Sequence, residues 1–185
     1  MTTPTPPAGR EGPGFVFNDG GRKAAGFKGQ AGDCVARAIA IAGEMPYEYV
    51  YEVLTNGLRN QRSPRGMRYD HATARRRPDS ARNGVITTRK WFKDAMASWG
   101  FIWTPTMAIG SGCKVHLTAA ELPQGRLVVA VSKHYTTMID GVIHDTHDPR
   151  REIHEVGRIN GVDYKTIRRR CVYGYWTLPA EASHV

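Results

Sequence analysis

Apolar residues at Val35, Ala38, Ile39 and Ala42 fall on one stripe at helical spacing, behind a glycine-flanked loop that ends in Asp33. The pattern predicts a buried helix opening at Cys34, with Asp33 as N-cap and Gly43 as its stop. Tyr47, Val50, Tyr51, Leu54 and Leu58 repeat the spacing behind Pro46, which suits a first turn, and Gly57 weakens the end of this second helix. Trp91, Phe92, Ala95, Met96 and Trp99 predict a third helix, capped by Thr87 or Thr88 and ended by Gly100. Strand patterns occur at Phe15-Val16-Phe17, at Phe101-Ile102-Trp103-Thr104 before Pro105, and in the continuous apolar run 127–131. Residues 135–139 and 142–146 flank Asp140-Gly141, a two-residue hairpin signal. Thr118 to Glu121 has capping-box spacing for one short turn. Residues 150–170 read as a polar, basic connection with Asn160-Gly161 as a turn, and 172–178 as the closing strand. Helices precede most strands, which gives an α+β class with N-terminal helices packed on a C-terminal antiparallel sheet.

Composition bounds this picture. A chain of 185 residues with 41% hydrophobic positions suits one domain, read as 15–179, between a Pro-rich leader at 1–14 and a short tail at 180–185. No apolar run approaches a membrane span, and the N-terminus lacks a basic-then-apolar signal pattern, so a cytoplasmic protein is expected. The net charge is +9. Much of it lies in 59–82, where Arg59, Arg62, Arg65, Arg68, Arg75, Arg76, Arg77 and Arg82 face only Asp70 and Asp79. Two readings of this basic loop stand: a solvated segment, and a surface for nucleic acid or an acidic protein. With Tyr69 as its one stacking side chain, it lacks the run of aromatics of a single-strand platform. The cysteines are three, Cys34, Cys113 and Cys171, an odd and widely spaced set that predicts neither a disulfide framework nor a zinc site.

The candidate chemistry centres on Cys34. A cysteine in the first turn of a helix faces free N–H groups and a partial positive charge, which favour the thiolate. The base predicted for it is His134, at the opening of the strand before the hairpin. If Asp140-Gly141 is the turn, Ile139 pairs with Val142, Met138 with Ile143 and Thr136 with Asp145, so Asp145 lies diagonal to His134 on the same face. Asp145 then orients the imidazole and stabilises its charged form. His147 shares that face, whereas His144 lies on the opposite one and is expected to be exposed. The split argues against a metal cluster of His144, His147 and Asp148 with His134, and neither a metal nor a cofactor is implied. His116 and His154 fall in predicted loops.

The box Gly32-Asp33-Cys34-Val35-Ala36-Arg37-Ala38-Ile39 resembles the nucleophile box of the OTU deubiquitinases, and His134-Tyr135 resembles their His-Tyr pair. The hairpin from His134 to Asp145 with Asp148-Pro149 resembles the His-then-Asp arrangement of bacteriocin-processing peptidases. Together with Gly141-Val142-Ile143-His144-Asp145-Thr146, the box is similar to small proteins of phages and mobile elements. The resemblance covers about 29–42 and 128–149 and implies a papain-like thiol peptidase. Its substrate would be a peptide or isopeptide bond, as in a small modifier protein with a glycine-rich tail; apolar loop residues near Trp103 or Trp176 are expected to line the groove. The chain departs from these patterns at Ala31, where the OTU box has Asp, and at Gln30, which stands closer to the cysteine than papain's oxyanion-hole glutamine does. The oxyanion is therefore assigned to Gln30 or to backbone amides. Two rival readings are acyl transfer or amidase chemistry on the same residues, and a non-enzymatic basic protein that binds nucleic acid through 59–82.

Overall fold

The computed structural model describes residues 14–61, 80–150, 153–159 and 162–179. Strand β1 (Phe15–Phe17) is followed by helices α1 (Cys34–Gly43), α2 (Tyr47–Asn60) and α3 (Lys90–Ser98). The strands β2 (Ile102–Pro105), β3 (Arg126–Val131), β4 (His134–Ile139), β5 (Val142–Asp145), β6 (Ile153–Ile159), β7 (Val162–Arg168) and β8 (Val172–Leu178) complete the chain. Six strands form an open sheet in the order β1-β5-β4-β3-β8-β2, antiparallel except where β1 runs parallel to β5. This is an α+β fold, three helices on a mostly antiparallel sheet.

The apolar run of β3 explains its central position. Val128 faces the helices and packs with Ile39, Val50, Phe92, Met96 and Trp176, while Leu127, Val129 and Val131 face away, with Met138 and Ile143, beneath Leu117 and Leu122. A strand covered on both faces needs no polar alternation. Every residue of α1 from Val35 to Ala42 is buried. The helix is tied down along its length. Thr137 of β4 donates its hydroxyl to the Ala38 carbonyl (2.8 Å), and Arg126 of β3 donates to the carbonyls of Ala42 (2.7 Å) and Ile41 (2.6 Å) at the C-terminus. A cation there complements the helix dipole.

Several expectations are corrected. Asp33 makes no side-chain cap on α1; its carboxylate turns away to Arg22, Arg37 and Tyr47. The left-handed residue ending α1 is Glu44 (φ 52°), not Gly43, which instead leaves room for Met45. Neither Thr87 nor Thr88 caps α3, whose N-cap position is Arg89; Thr87 accepts the Tyr135 hydroxyl (2.9 Å). The stretch 150–170, expected as a connection, carries the two-stranded sheet β6-β7, with Ile159 paired to Val162; the predicted turn residues Asn160 and Gly161 lie outside the described residues. At Thr118 to Glu121 a single turn forms, and Glu121 accepts the N–H of His116 (2.8 Å) rather than closing a capping box. Gly57 accommodates the Trp91 ring, which an added Cβ would meet at 2.3 Å.

Cys113 and Cys171 form a disulfide, against the expectation from their spacing. The cysteines are 58 apart in sequence, and the antiparallel bridge between His116 and Cys171 brings their Cα atoms to 5.7 Å. Such bonds persist in oxidising compartments, whereas the expectation of a cytoplasmic protein rested on the lack of a long apolar run and of an N-terminal signal pattern. No helix among the described residues is long and apolar enough to cross a membrane.

Candidate active site

Two tight turns and one helix terminus position the residues of this site. Ser132-Lys133 joins β3 to β4, with Val131 paired to His134 and Lys133 at positive φ (56°), so His134 is the first residue of β4. Arg170 braces this turn by donating to the carbonyls of Ser132 (2.5 Å) and Pro149 (2.6 Å). The β4-β5 hairpin closes through Asp140 and Gly141, both at positive φ (46° and 80°), with Ile139 opposite Val142 and Met138 opposite Ile143. That register brings the last residue of β5, Asp145, back beside His134. Asp140 itself accepts the N–H of Gly125 (2.9 Å) and takes no part in the site.

The His134 Nε2–H donates to Asp145 Oδ2 at 2.7 Å, and Asp145 Oδ1 accepts the Thr146 N–H at 2.7 Å. Asp145 is buried, and its backbone carbonyl is held by the N–H of Asn18 at the end of β1 (2.9 Å). With Nε2 turned to the carboxylate, Nδ1 is the ring nitrogen left for the thiol. His134 and Cys34 interact by hydrogen bond and by charge, and both line one cleft.

The electrostatics follow from these contacts. Burial alone would push the Cys34 thiol up; the His134 hydrogen bond and charge, the Tyr135 N–H and the Arg37 charge outweigh it and hold the pKa below its ordinary value. Burial alone would lower His134; the hydrogen bonds and charges of Asp145 and Cys34 carry it up to about 9. Asp145 sits below its ordinary value, because the bond and charge of His134 overcome its burial. An imidazolium paired with a thiolate at neutral pH is the state this set favours. No family model, curated protein or solved structure matches this chain.

The cleft has a volume of about 500 Å³ and is bordered by Gly32, Cys34, Gly84, Trp103, His134 and Tyr173. Trp103 thus borders it, while Trp176 is buried against Phe92 and Trp103 (ring centroids 6.0 and 5.0 Å). Gln30 is exposed and borders a second cavity, not the cleft of Cys34. Asp148 is exposed and forks onto Arg150 (2.9 Å). His144 is half-buried rather than exposed, and burial together with the Arg126 charge lowers its pKa.

His147, exposed, sets its ring 4.8 Å from that of His134, tilted by 51°. His134, Asp145 and His147 bring one ligand atom each within 4.8 Å of one another, the one such group among the described residues. A cation there would displace the proton shared by His134 and Asp145, so this set can serve as base or as ligands, not both at once.

Asp33 is the residue whose role sequence reasoning misread. It is 1% exposed and binds Arg22 (2.7 Å), Arg37 and the Tyr47 hydroxyl. A carboxylate inside an apolar helix box, four residues before an arginine, carried that signal. Arg82, the last residue of the predicted basic loop, donates to the carbonyls of Lys28 (3.3 Å) and Gln30 (3.0 Å), and its own carbonyl accepts the Gly32 N–H (2.8 Å). Residues 62–79 of that loop lie outside the described residues.

Proposed function

We propose that the chain is a papain-like cysteine hydrolase that cleaves a peptide or isopeptide bond. The observation that carries this reading is a thiol at a helix N-terminus, set against an imidazole whose far nitrogen is bonded to a buried carboxylate at 2.7 Å. Cys34 attacks the carbonyl carbon, His134 gives its Nδ1 proton to the leaving amine, and a thioester remains on Cys34. Water, deprotonated by His134, then attacks the thioester and releases the acid and the thiol. Asp145 holds the ring in the required tautomer and stabilises its charge.

The diversion of Asp33 supports an oxyanion hole made of backbone. No side chain caps α1, so the N–H groups of its first turn are left uncapped where Cys34 and Val35 border the cleft. Gly32 is committed elsewhere, since its N–H is bonded to Arg82. The test is labelling with an electrophilic thiol probe at pH 6 to 7, followed by hydrolysis of a peptide library. The reading requires labelling at Cys34, loss of labelling and cleavage in His134→Ala, and retention of the fold in Cys34→Ala. A Cys34 no more reactive than a thiol in a short peptide ends it.

A further inference from the structure

A second cavity, about 700 Å³, lies across the loop 29–32 from the cleft: Gly29, Gln30 and Ala31 border this cavity, and Gly32 borders the cleft. His147 is also in its wall, with its ring in tilted contact with His134. The two cavities therefore approach each other at the catalytic base, with Cys34 and His134 lining one and His147 the other.

Their chemistry differs. The cleft is edged by glycines and aromatic rings, with Lys133 as the one lysine or arginine in its lining. The second cavity carries Arg22, Lys23, Lys28 and Arg37. Asp33 neutralises part of this charge through Arg22 and Arg37. Asp19, also in the wall, spends its carboxylate on the N–H groups of Gly21 and Lys23 (3.0 Å each). Four cations against two carboxylates leave a surplus of two positive charges. The ammonium groups of Lys23 and Lys28 have no ion-pair partner among the described residues. The N–H groups of Gly29, Gln30 and Ala31 have no acceptor among them either, and Arg37 Nε is buried without one. Unpaired donors of both kinds, on the turn at Lys23 and the loop 28–31 that leads to the nucleophile, match a polypeptide with carbonyls along its backbone and carboxylates on its side chains.

We infer that this cavity is a subsite for acidic residues of the substrate, on the side of the scissile bond away from the aromatic cleft. The inference rests on the cysteine-hydrolase reading and narrows its substrate to Asp- or Glu-bearing polypeptide. A nucleic acid suits the cavity less well. Of its aromatic rings, Phe27 is packed on Tyr47 and Tyr51 (centroids 5.1 and 4.7 Å), which leaves Phe17 and the His147 imidazole, short of the run of aromatic rings on which successive bases stack.

The test uses the full chain carrying Cys34→Ala and fluorescence anisotropy with three probes: a Glu-rich peptide, its Gln-rich counterpart and a single-stranded oligothymidine. The Glu-rich peptide should bind more tightly than the Gln-rich one. Lys23→Gln with Lys28→Gln should weaken it by about twofold to thirtyfold, as expected for two surface charge pairs. Lys23→Arg with Lys28→Arg should retain it. Equal affinity for the two peptides overturns the inference, as does insensitivity to the Gln substitutions, or a Lys-dependent affinity found for oligothymidine alone. Thiol labelling of Cys34 in the wild-type chain, which the lysine substitutions should leave unchanged, reports separately on the hydrolase reading.

Discussion

Replacing Asp145 by Asn removes one charge and keeps the shape, so it isolates what the carboxylate does for His134. In the native site Nε2–H donates to Asp145 Oδ2 at 2.7 Å. Asn can keep its oxygen on the Thr146 N–H, and this turns its amide N–H toward Nε2. The ring then carries its proton on Nδ1, facing the sulfur, and cannot accept the thiol's proton there. The charge is lost as well. Raising His134 from 6.5 to about 9 is worth about 3 kcal/mol, at 1.36 kcal/mol per pH unit, and the Asp145 bond is the largest contribution in that direction. Losing half to all of it costs about tenfold to 10²-fold, and the wrong tautomer extends the loss in turnover to on the order of 10²–10⁴-fold. The assay compares Asp145→Asn with Asp148→Asn. It reads the pH profile of Cys34 alkylation by iodoacetamide, and turnover on any peptide the wild type cleaves. Asp145→Asn should move the alkylation profile to higher pH and slow the reaction near pH 6 at least tenfold, with the circular dichroism spectrum unchanged. Asp148 is exposed and bonds Arg150 away from the site, and its substitution should change either rate by no more than about threefold. An unshifted profile in Asp145→Asn, or a greater loss in Asp148→Asn, refutes the assignment.

Three further outcomes follow from the same geometry. His134 is raised in the folded state, so its contribution to stability is complete below 6.5 and is lost as pH rises toward about 9; Asp145 is lowered, so its contribution is present above 3.8 and is lost at more acid pH. The difference in urea midpoint between wild type and His134→Gln should accordingly shrink from pH 6.5 to about 9, and a flat difference would contradict it. Asp33→Asn leaves Arg22 and Arg37 without their carboxylate and should cost about 3–5 kcal/mol in chemical denaturation, well beyond an ordinary N-cap loss of about 1 kcal/mol. Cys113→Ser with Cys171→Ser opens a loop of 58 residues and should lower stability by about 2–4 kcal/mol while leaving Cys34 labelling intact; an unchanged melting temperature would contradict this.

The parts of this molecule that were legible in the sequence are those encoded locally. The apolar stripe of Val35, Ala38, Ile39 and Ala42 defines α1 because the helix is buried along its length, and Asp140-Gly141 sets the register of β4 and β5 because two residues at positive φ leave few alternatives. From that register the proximity of His134 and Asp145 follows. The disulfide was not legible, since spacing carries no information on which loops a sheet brings together. The β6-β7 hairpin was hidden because 150–170 lacks the apolar alternation of a strand with one buried face. Asp33 was misread because a helix N-terminus offers a carboxylate a local partner, and nothing local announces Arg22 and Tyr47. Gly57 reads as a helix weakness until Trp91, far along the chain, is seen against it.

The burial of α1 also has a consequence during synthesis. The helix is anchored by Thr137, 99 residues downstream of Ala38, and roofed by strands that leave the ribosome only after it. At about 5–20 residues per second, this apolar ten-residue segment waits on the order of 5–20 s for its cover, and a helix of that length is marginal in water on its own. Its cysteine spends that interval as an ordinary thiol, because the histidine and carboxylate that acidify it have not been translated. The nascent chain thus exposes a sticky segment but not a reactive one, and the thiol acquires its nucleophilic character only as the β4-β5 hairpin closes.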